Sequence, residues 1–133
     1  MDVLIVGGDS AVQEGVLQSM RAAGLNAEGC PDVRCAREAV SESRPVALVL
    51  HADLGSAGEE LRRLSPIPGG AVILFRDADQ GDASAGQPFG RSVIAELTLP
   101  LERARLIALL NHIVARARVT GHDKRPPELP LSP

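Results

Sequence analysis

Four short stretches of this 133-residue chain carry residue types suited to chemistry. The first is Gly7-Gly8-Asp9-Ser10, set between an apolar run and a helical pattern. The backbone N–H groups of a glycine turn at a helix N-terminus can cradle a nucleotide phosphate or another anion. Neither G-x-G-x-x-G nor G-x-x-x-x-G-K-[ST] is present, and the turn holds no Lys or Arg, so that reading rests on two glycines. The second stretch is His51-Ala52-Asp53. Its histidine could accept a phosphoryl group, sense pH or bind a metal. Asp9, His51 and Asp53 make up a candidate residual polar site, a three-ligand set at most. The plainer readings are a hydrogen-bonded structural histidine and an aspartate that caps or solvates its loop. Third, Cys30 and Cys35 show no CxxC spacing and no neighbouring His pair, which points to two reduced structural thiols. Fourth, Arg116, Arg118, Lys124 and Arg125 read as a solvated helix end and linker, where cations suit the macrodipole.

The elements that must position these residues alternate. Val3–Val6 is a short, unbroken apolar run, the pattern of a parallel strand buried on both faces, and is expected at the centre of a sheet. Ser10 with Gln13 forms a capping box that opens a helix over Ala11–Ala23, with Gly24 as its left-handed stop. Val12, Val16, Leu17 and Met20 give that helix one apolar stripe. Leu25–Gly29 is an edge-strand candidate, and Pro31-Asp32 starts a second helix with apolar positions Val33, Ala36, Ala39 and Val40. Val46–Leu50 and Ala71–Phe75 are further buried strands, with a short helix around Glu59–Leu64 between them. Arg76–Arg91 shows no sustained period and is expected to be a loop, followed by a strand over Ser92–Leu97. The last helix, Leu101–Ala117, carries Leu106, Ile107, Leu109, Leu110, Ile113 and Val114, more apolar positions than one sheet face requires. Alternation of this kind implies a three-layer, doubly wound α/β domain with a parallel five-stranded sheet, whose chemistry sits at the carboxyl ends of the strands. The expected boundaries are 1–118 for the domain and 119–133 for a proline-rich linker or tail.

Composition excludes several function classes. A net charge of −3 provides no broad basic field, so no direct nucleic-acid contact is expected from this domain. No run approaches the ~20 apolar residues that span a bilayer, and no basic-then-apolar leader precedes the first strand. The expectation is a cytoplasmic protein with no membrane contact, no metal and no cofactor.

The order of elements, together with VLIVGGDSAV, RPVALVLHADLGSAG, AVILF and ELTLPLERARLIALL, resembles the receiver domain of bacterial response regulators over roughly residues 2 to 118. That resemblance implies transfer of a phosphoryl group to an aspartate after the third strand, with a divalent metal held by acidic residues after the first. A hydroxyl and a lysine complete such a site, because the cation, the lysine and the hydroxyl must neutralise and bind the phosphoryl oxygens. Carried over position by position, the acidic pair falls at Gly7 and Gly8, the nucleophile at His51, the hydroxyl at Phe75 and the lysine at Leu99. These are degenerate phosphorylation-site positions with no catalytic residue among them.

Two function classes follow. One is a non-enzymatic, phosphorylation-independent receiver-like signalling module that acts through protein contacts and controls an attached or partner output domain, such as a transcriptional regulator. Its expected contact surface is the last helix, at Leu106, Leu109, Leu110, Ile113, Arg105 and Arg116, as a homodimer or a docking site. The other is a small α/β domain that binds a nucleotide or other anion at Gly7–Ser10. A functional receiver phosphorylated at Asp53 is a further alternative, since residues 51 and 53 of one strand share a face.

Overall fold

Apolar runs without polar interruption can be buried on both faces, and here they become the interior of a parallel sheet. The computed structural model describes residues 1–57, 64–67, 70–77, 94–99 and 101–123. Within them β1 (Val3–Val6), β2 (Ala27–Cys30), β3 (Ala47–His51), β4 (Ala71–Asp77) and β5 (Ala95–Leu99) pair in the order β2-β1-β3-β4-β5. All four pairings are parallel. The doubly wound expectation therefore holds. β1 is interior, but the centre is β3, because β2 is the only strand beyond β1 on its side. β4 runs two residues past the expected Phe75, and β5 starts and ends later than Ser92–Leu97. The expected helix around Glu59–Leu64 and most of the expected Arg76–Arg91 loop lie outside the described residues, and a 3-10 turn occupies Ala52–Ala57.

Strand side chains alternate between faces, and this splits the core into two layers. Val3, Ile5, Val49, Ile73, Phe75, Leu97 and Leu99 face one way and pack with α1 (Ser10–Ala22) and α3 (Arg103–Asp123). Leu4, Val6, Leu48, Leu50, Val72 and Leu74 face the other way and pack with α2 (Val33–Glu42). From α1 the buried residues are Val16, Leu17 and Met20, and Gly24 follows with φ +89° as the expected left-handed stop.

The helix ends differ in detail from the sequence reading. Asp9, not Ser10, caps α1: its Oδ2 accepts the Val12 N–H at 3.2 Å. A carboxylate at this position satisfies an orphan amide and also meets the positive end of the helix dipole. Asp32 caps α2 in the same way, accepting the Cys35 N–H at 2.9 Å. The helix α3 begins at Arg103 and continues to Asp123, beyond the expected Ala117. No proline occurs between Pro100 and Pro126, so Gly121 is the helix's only strong local opponent. Residues 119–123 of the expected 119–133 tail thus belong to the helix, and residues 124–133 lie outside the described residues. No helix of the described residues is long and apolar enough to cross a membrane.

The apolar excess of α3 is resolved by burial. Leu106, Leu110 and Val114 are fully buried against the sheet, and Ile107, Leu109 and Ile113 pack half-buried beside them. Leu106 and Leu110 are thus core residues rather than interface residues. Their i, i+4 spacing points both to the sheet. The Leu110→Ala variant is expected to lose about 2–5 kcal/mol of stability in chemical denaturation. Leu101 is 76% exposed at the foot of the same helix, so Leu101→Ala is expected to change stability by no more than about 0.5 kcal/mol.

Candidate strand-end pocket

Extending β1, β3 and β4 by their registers brings Gly7, His51 and Phe75 side by side at the carboxyl ends of the strands. His51 pairs with Phe75 directly, and the next step after Val6–Leu50 sets Gly7 beside His51. At the turn both glycines take left-handed backbone angles, φ +83° at Gly7 and φ +84° at Gly8. An L side chain there costs about 1–2 kcal/mol in backbone strain. Space is the second constraint. A Cβ on Gly8 would lie 2.9 Å from Cε2 and Cζ of Phe75 and 3.1 Å from Cδ2 of His51. A Cβ on Gly7 would lie 3.1 Å from the His51 Cβ and 3.3 Å from Leu54. The volume that a side chain after β1 would fill is filled by two rings from the neighbouring strands.

Those rings support each other. His51 and Phe75 meet edge to face, with centroids 5.0 Å apart and an interplanar angle of 81°. That arrangement sets the positive edge of one ring against the negative face of the other. His51 is only 3% exposed, and its Nδ1 accepts the Asp53 N–H at 3.1 Å. The bond needs a lone pair on Nδ1, so in the neutral ring the proton is on Nε2. Asp53 Oδ2 lies 3.7 Å from the same Nδ1, too far for a hydrogen bond, and its side chain is 75% exposed. The backbone amide, rather than the carboxylate, therefore orients the histidine. Among the described residues, no three His, Cys, Asp or Glu side chains converge to hold a metal ion. Asp9, the third member of the candidate polar set, has its carboxylate on the α1 cap.

The glycine turn is also a poor anion cradle. The Gly7 N–H already donates to the Cys30 carbonyl at 2.9 Å. The capping Asp9 carboxylate supplies a negative charge at the helix end where an anion would bind. Gln13, expected in a capping box, instead donates through Nε2 to the carbonyls of Gly7 and Cys30, each at 3.0 Å. It ties the ends of β1 and β2 together. A Cβ on Gly29 would stand 2.6 Å from Gln13 Oε1, so a glycine on the edge strand makes room for this clamp.

Leu99, the position matched to a lysine, is fully buried in the same layer as Phe75. It lies one face-repeat beyond, opposite Asp77, while Phe75 is opposite Leu97. The turn that follows is held by Glu102, which the sequence suggests only as one of the charged positions of an interface on the last helix. Its Oε1 accepts the Thr98 N–H at 2.7 Å, and its Oε2 accepts from Arg105 at 3.0 Å. The Thr98 bond and then the Arg105 guanidinium hold the Glu102 carboxyl below its ordinary 4.5. A Thr-x-x-x-Glu spacing across a proline turn is the signal that would have disclosed it.

Four outcomes follow from this geometry. Gly8→Ala is expected to destabilise by about 2–4 kcal/mol, from backbone strain plus overpacking. Gly24→Ala, equally left-handed but with nothing within 4 Å, is expected to cost strain alone. Combining Gly8→Asp with Phe75→Thr should recover at least about 1 kcal/mol relative to additivity, read by a double-mutant cycle in urea. For Glu102 the folded state keeps the carboxylate to lower pH than the unfolded chain does, so its contribution is present above about pH 4.5 and fades as pH falls through the depressed value. The gap in Tm between wild type and Glu102→Ala is therefore expected to shrink between pH 6 and pH 3, on the order of one pKa range.

No family model and no curated protein sequence matches the chain. Solved structures do. A response regulator from Chloroflexus aurantiacus, described as putative, matches at 22% identity and a TM-score of 0.67, over 86% of this chain and 97% of its own. The receiver domain of a sensor histidine kinase from Pseudomonas aeruginosa, with magnesium coordinated in its active-site cleft, matches at 20% identity and a TM-score of 0.61, over 86% and 98%. A CheY-like receiver domain protein from Methanospirillum hungatei matches at 18% identity and a TM-score of 0.64, over 88% and 96%. At these identities the likeness is one of fold: the chain has the five-stranded parallel architecture of response regulator receiver domains.

Proposed function

We propose that this chain is a receiver-like signalling domain that works without phosphoryl transfer, through protein contacts, and controls an attached or partner output domain such as a transcriptional regulator. The observation that carries this reading is the filled strand-end pocket. Gly8 abuts the Phe75 and His51 rings, where phosphoryl chemistry needs acidic groups around a hard cation. The Pseudomonas aeruginosa domain coordinates magnesium in its cleft. Here the two glycines have no side-chain oxygen, His51 replaces the nucleophilic carboxylate, and Phe75 and Leu99 can neither donate nor accept a hydrogen bond. The losses at Gly7, Gly8, His51 and Phe75 fall at adjoining positions and fit one another sterically, which supports a pocket adapted to packing.

The surface that remains available for contacts is consistent with this role. Leu101 is 76% and Ile94 53% exposed on either side of β5, and Leu109 and Ile113 are half-buried on α3 near exposed Arg105 and Arg116. Partly exposed apolar positions next to charged ones on one helix suit self-association or docking of the output domain.

Incubation with acetyl phosphate and magnesium, read by intact mass, tests the proposal. The expected result is an unchanged mass. A phosphoryl adduct on Asp53 or His51 would overturn it and restore one of these residues as an acceptor.

A further inference from the structure

β2 (Ala27–Cys30) is the outermost strand on its side of the sheet, and among the described residues no strand pairs with its far edge. The bonds to β1 fix which backbone groups that edge presents. The Asn26 carbonyl accepts from the Val3 N–H at 3.1 Å, and the Cys30 carbonyl accepts from the Gly7 N–H at 2.9 Å. In a parallel ladder a residue directs its N–H and its C=O to the same neighbouring strand, and successive residues alternate. Asn26, Glu28 and Cys30 therefore face β1, while Ala27 and Gly29 direct both groups outward. Arg21, in the last turn of α1, reaches over this edge. Its Nε and one terminal guanidinium nitrogen both donate to the outward Ala27 carbonyl, at 3.3 and 3.2 Å. Under that cover Ala27 is only 3% exposed, although it lies on an edge strand.

Without that cover the edge is complementary to itself. Two copies of β2 set antiparallel about a two-fold axis at Glu28 would place Ala27 of each opposite Gly29 of the other, and each of these pairs can exchange two N–H···O=C bonds. Glu28, which is exposed, would then meet its own copy at the closer, non-hydrogen-bonded position, where like charges are destabilising. A proline at position 29, another way to block an edge, has no room: a Cβ there would stand 2.6 Å from Gln13 Oε1 and 2.7 Å from Leu17 Cδ1. We propose that Arg21 and Glu28 guard the open edge of β2 against strand pairing with a second copy of this chain. Arg21 occupies the Ala27 carbonyl that such pairing needs, and Glu28 sets two negative charges at its centre. Contacts between copies are thereby directed away from the sheet edge. This inference does not rest on the strand-end pocket.

The test compares the full chain with Arg21→Ala, Glu28→Thr and the double variant. Sedimentation velocity at stepwise increasing concentration measures self-association, and amide hydrogen exchange at Gly29 locates it. The Gly29 N–H points out of the sheet, so pairing at this edge slows its exchange, whereas contacts through α3 leave it untouched. The double variant is expected to self-associate at least about tenfold more tightly than wild type, with exchange at Gly29 slowing as concentration rises. Wild type is expected to show no such slowing, and Arg21→Lys, which keeps a cationic donor at the edge, to stay close to it. A double variant that associates no more than wild type, association that leaves Gly29 exchange unchanged, or a wild type already paired at Gly29 would each overturn the proposal. So would a lowered Tm in Arg21→Ala with no association in the double variant, the result of a role confined to the end of α1.

Discussion

The backbone of Gly8 lies directly against the rings of Phe75 and His51, and much of the strand-end architecture depends on that contact. It requires a residue without a Cβ after β1, because the turn is left-handed and the rings occupy the volume a side chain would use. It requires the two rings to be paired across β3 and β4, which the His51–Phe75 register provides. It also requires the histidine to be held in one orientation, and the Asp53 amide does that. Each part is buried or strained enough that changing one alone leaves its partners poorly packed. Where the fold brings these strand ends together, the contact between Gly8 and the two rings is one of shape.

The supports around this contact are mostly backbone bonds made by side chains. Gln13 holds the ends of β1 and β2 by their carbonyls, Asp9 and Asp32 take up helix amides, and Glu102 closes the turn from β5 into α3. On the outer part of the molecule, Arg76 pairs with Glu96 across β4 and β5, and Arg118 near the end of α3 reaches Asp2 beside β1, both at 3.0 Å. Exposed ion pairs of this kind contribute little individually. The rigid part of the platform is therefore the double-layered apolar sheet, and the features suited to contact lie at its margins.

The architecture was legible in the sequence because its physical basis is local. Unbroken runs such as Val3–Val6 and Ala47–Leu50 can hardly be anything but strands buried on both faces, and the helix stripes identify which residues meet them. At the five positions from Gly7 to Leu99 the sequence shows which side-chain types are present, while the packing of Gly8 against the His51 and Phe75 rings is readable only from the fold. What the sequence left undetermined depends on distance in three dimensions. Capping box and clamp are the same residue type at Gln13, and only the neighbouring Cys30 carbonyl and the space at Gly29 decide between them. Leu106 and Leu110 looked available for an interface because a count of apolar positions does not tell how wide a stripe the sheet can cover.

The central claim is that the strand-end pocket is packed shut and holds neither a divalent cation nor a phosphoryl group. A titration of the protein with magnesium and then with beryllofluoride, followed through the amide NMR signals of Gly7, Gly8, Asp9 and Asp53, addresses it most directly. The account predicts that these signals do not shift beyond the small, non-saturating drift of a weakly acidic surface. Saturable shifts centred on Gly8 and Asp53 would contradict it, because they would require the rings to open and a polar site to form where the structure has only packing.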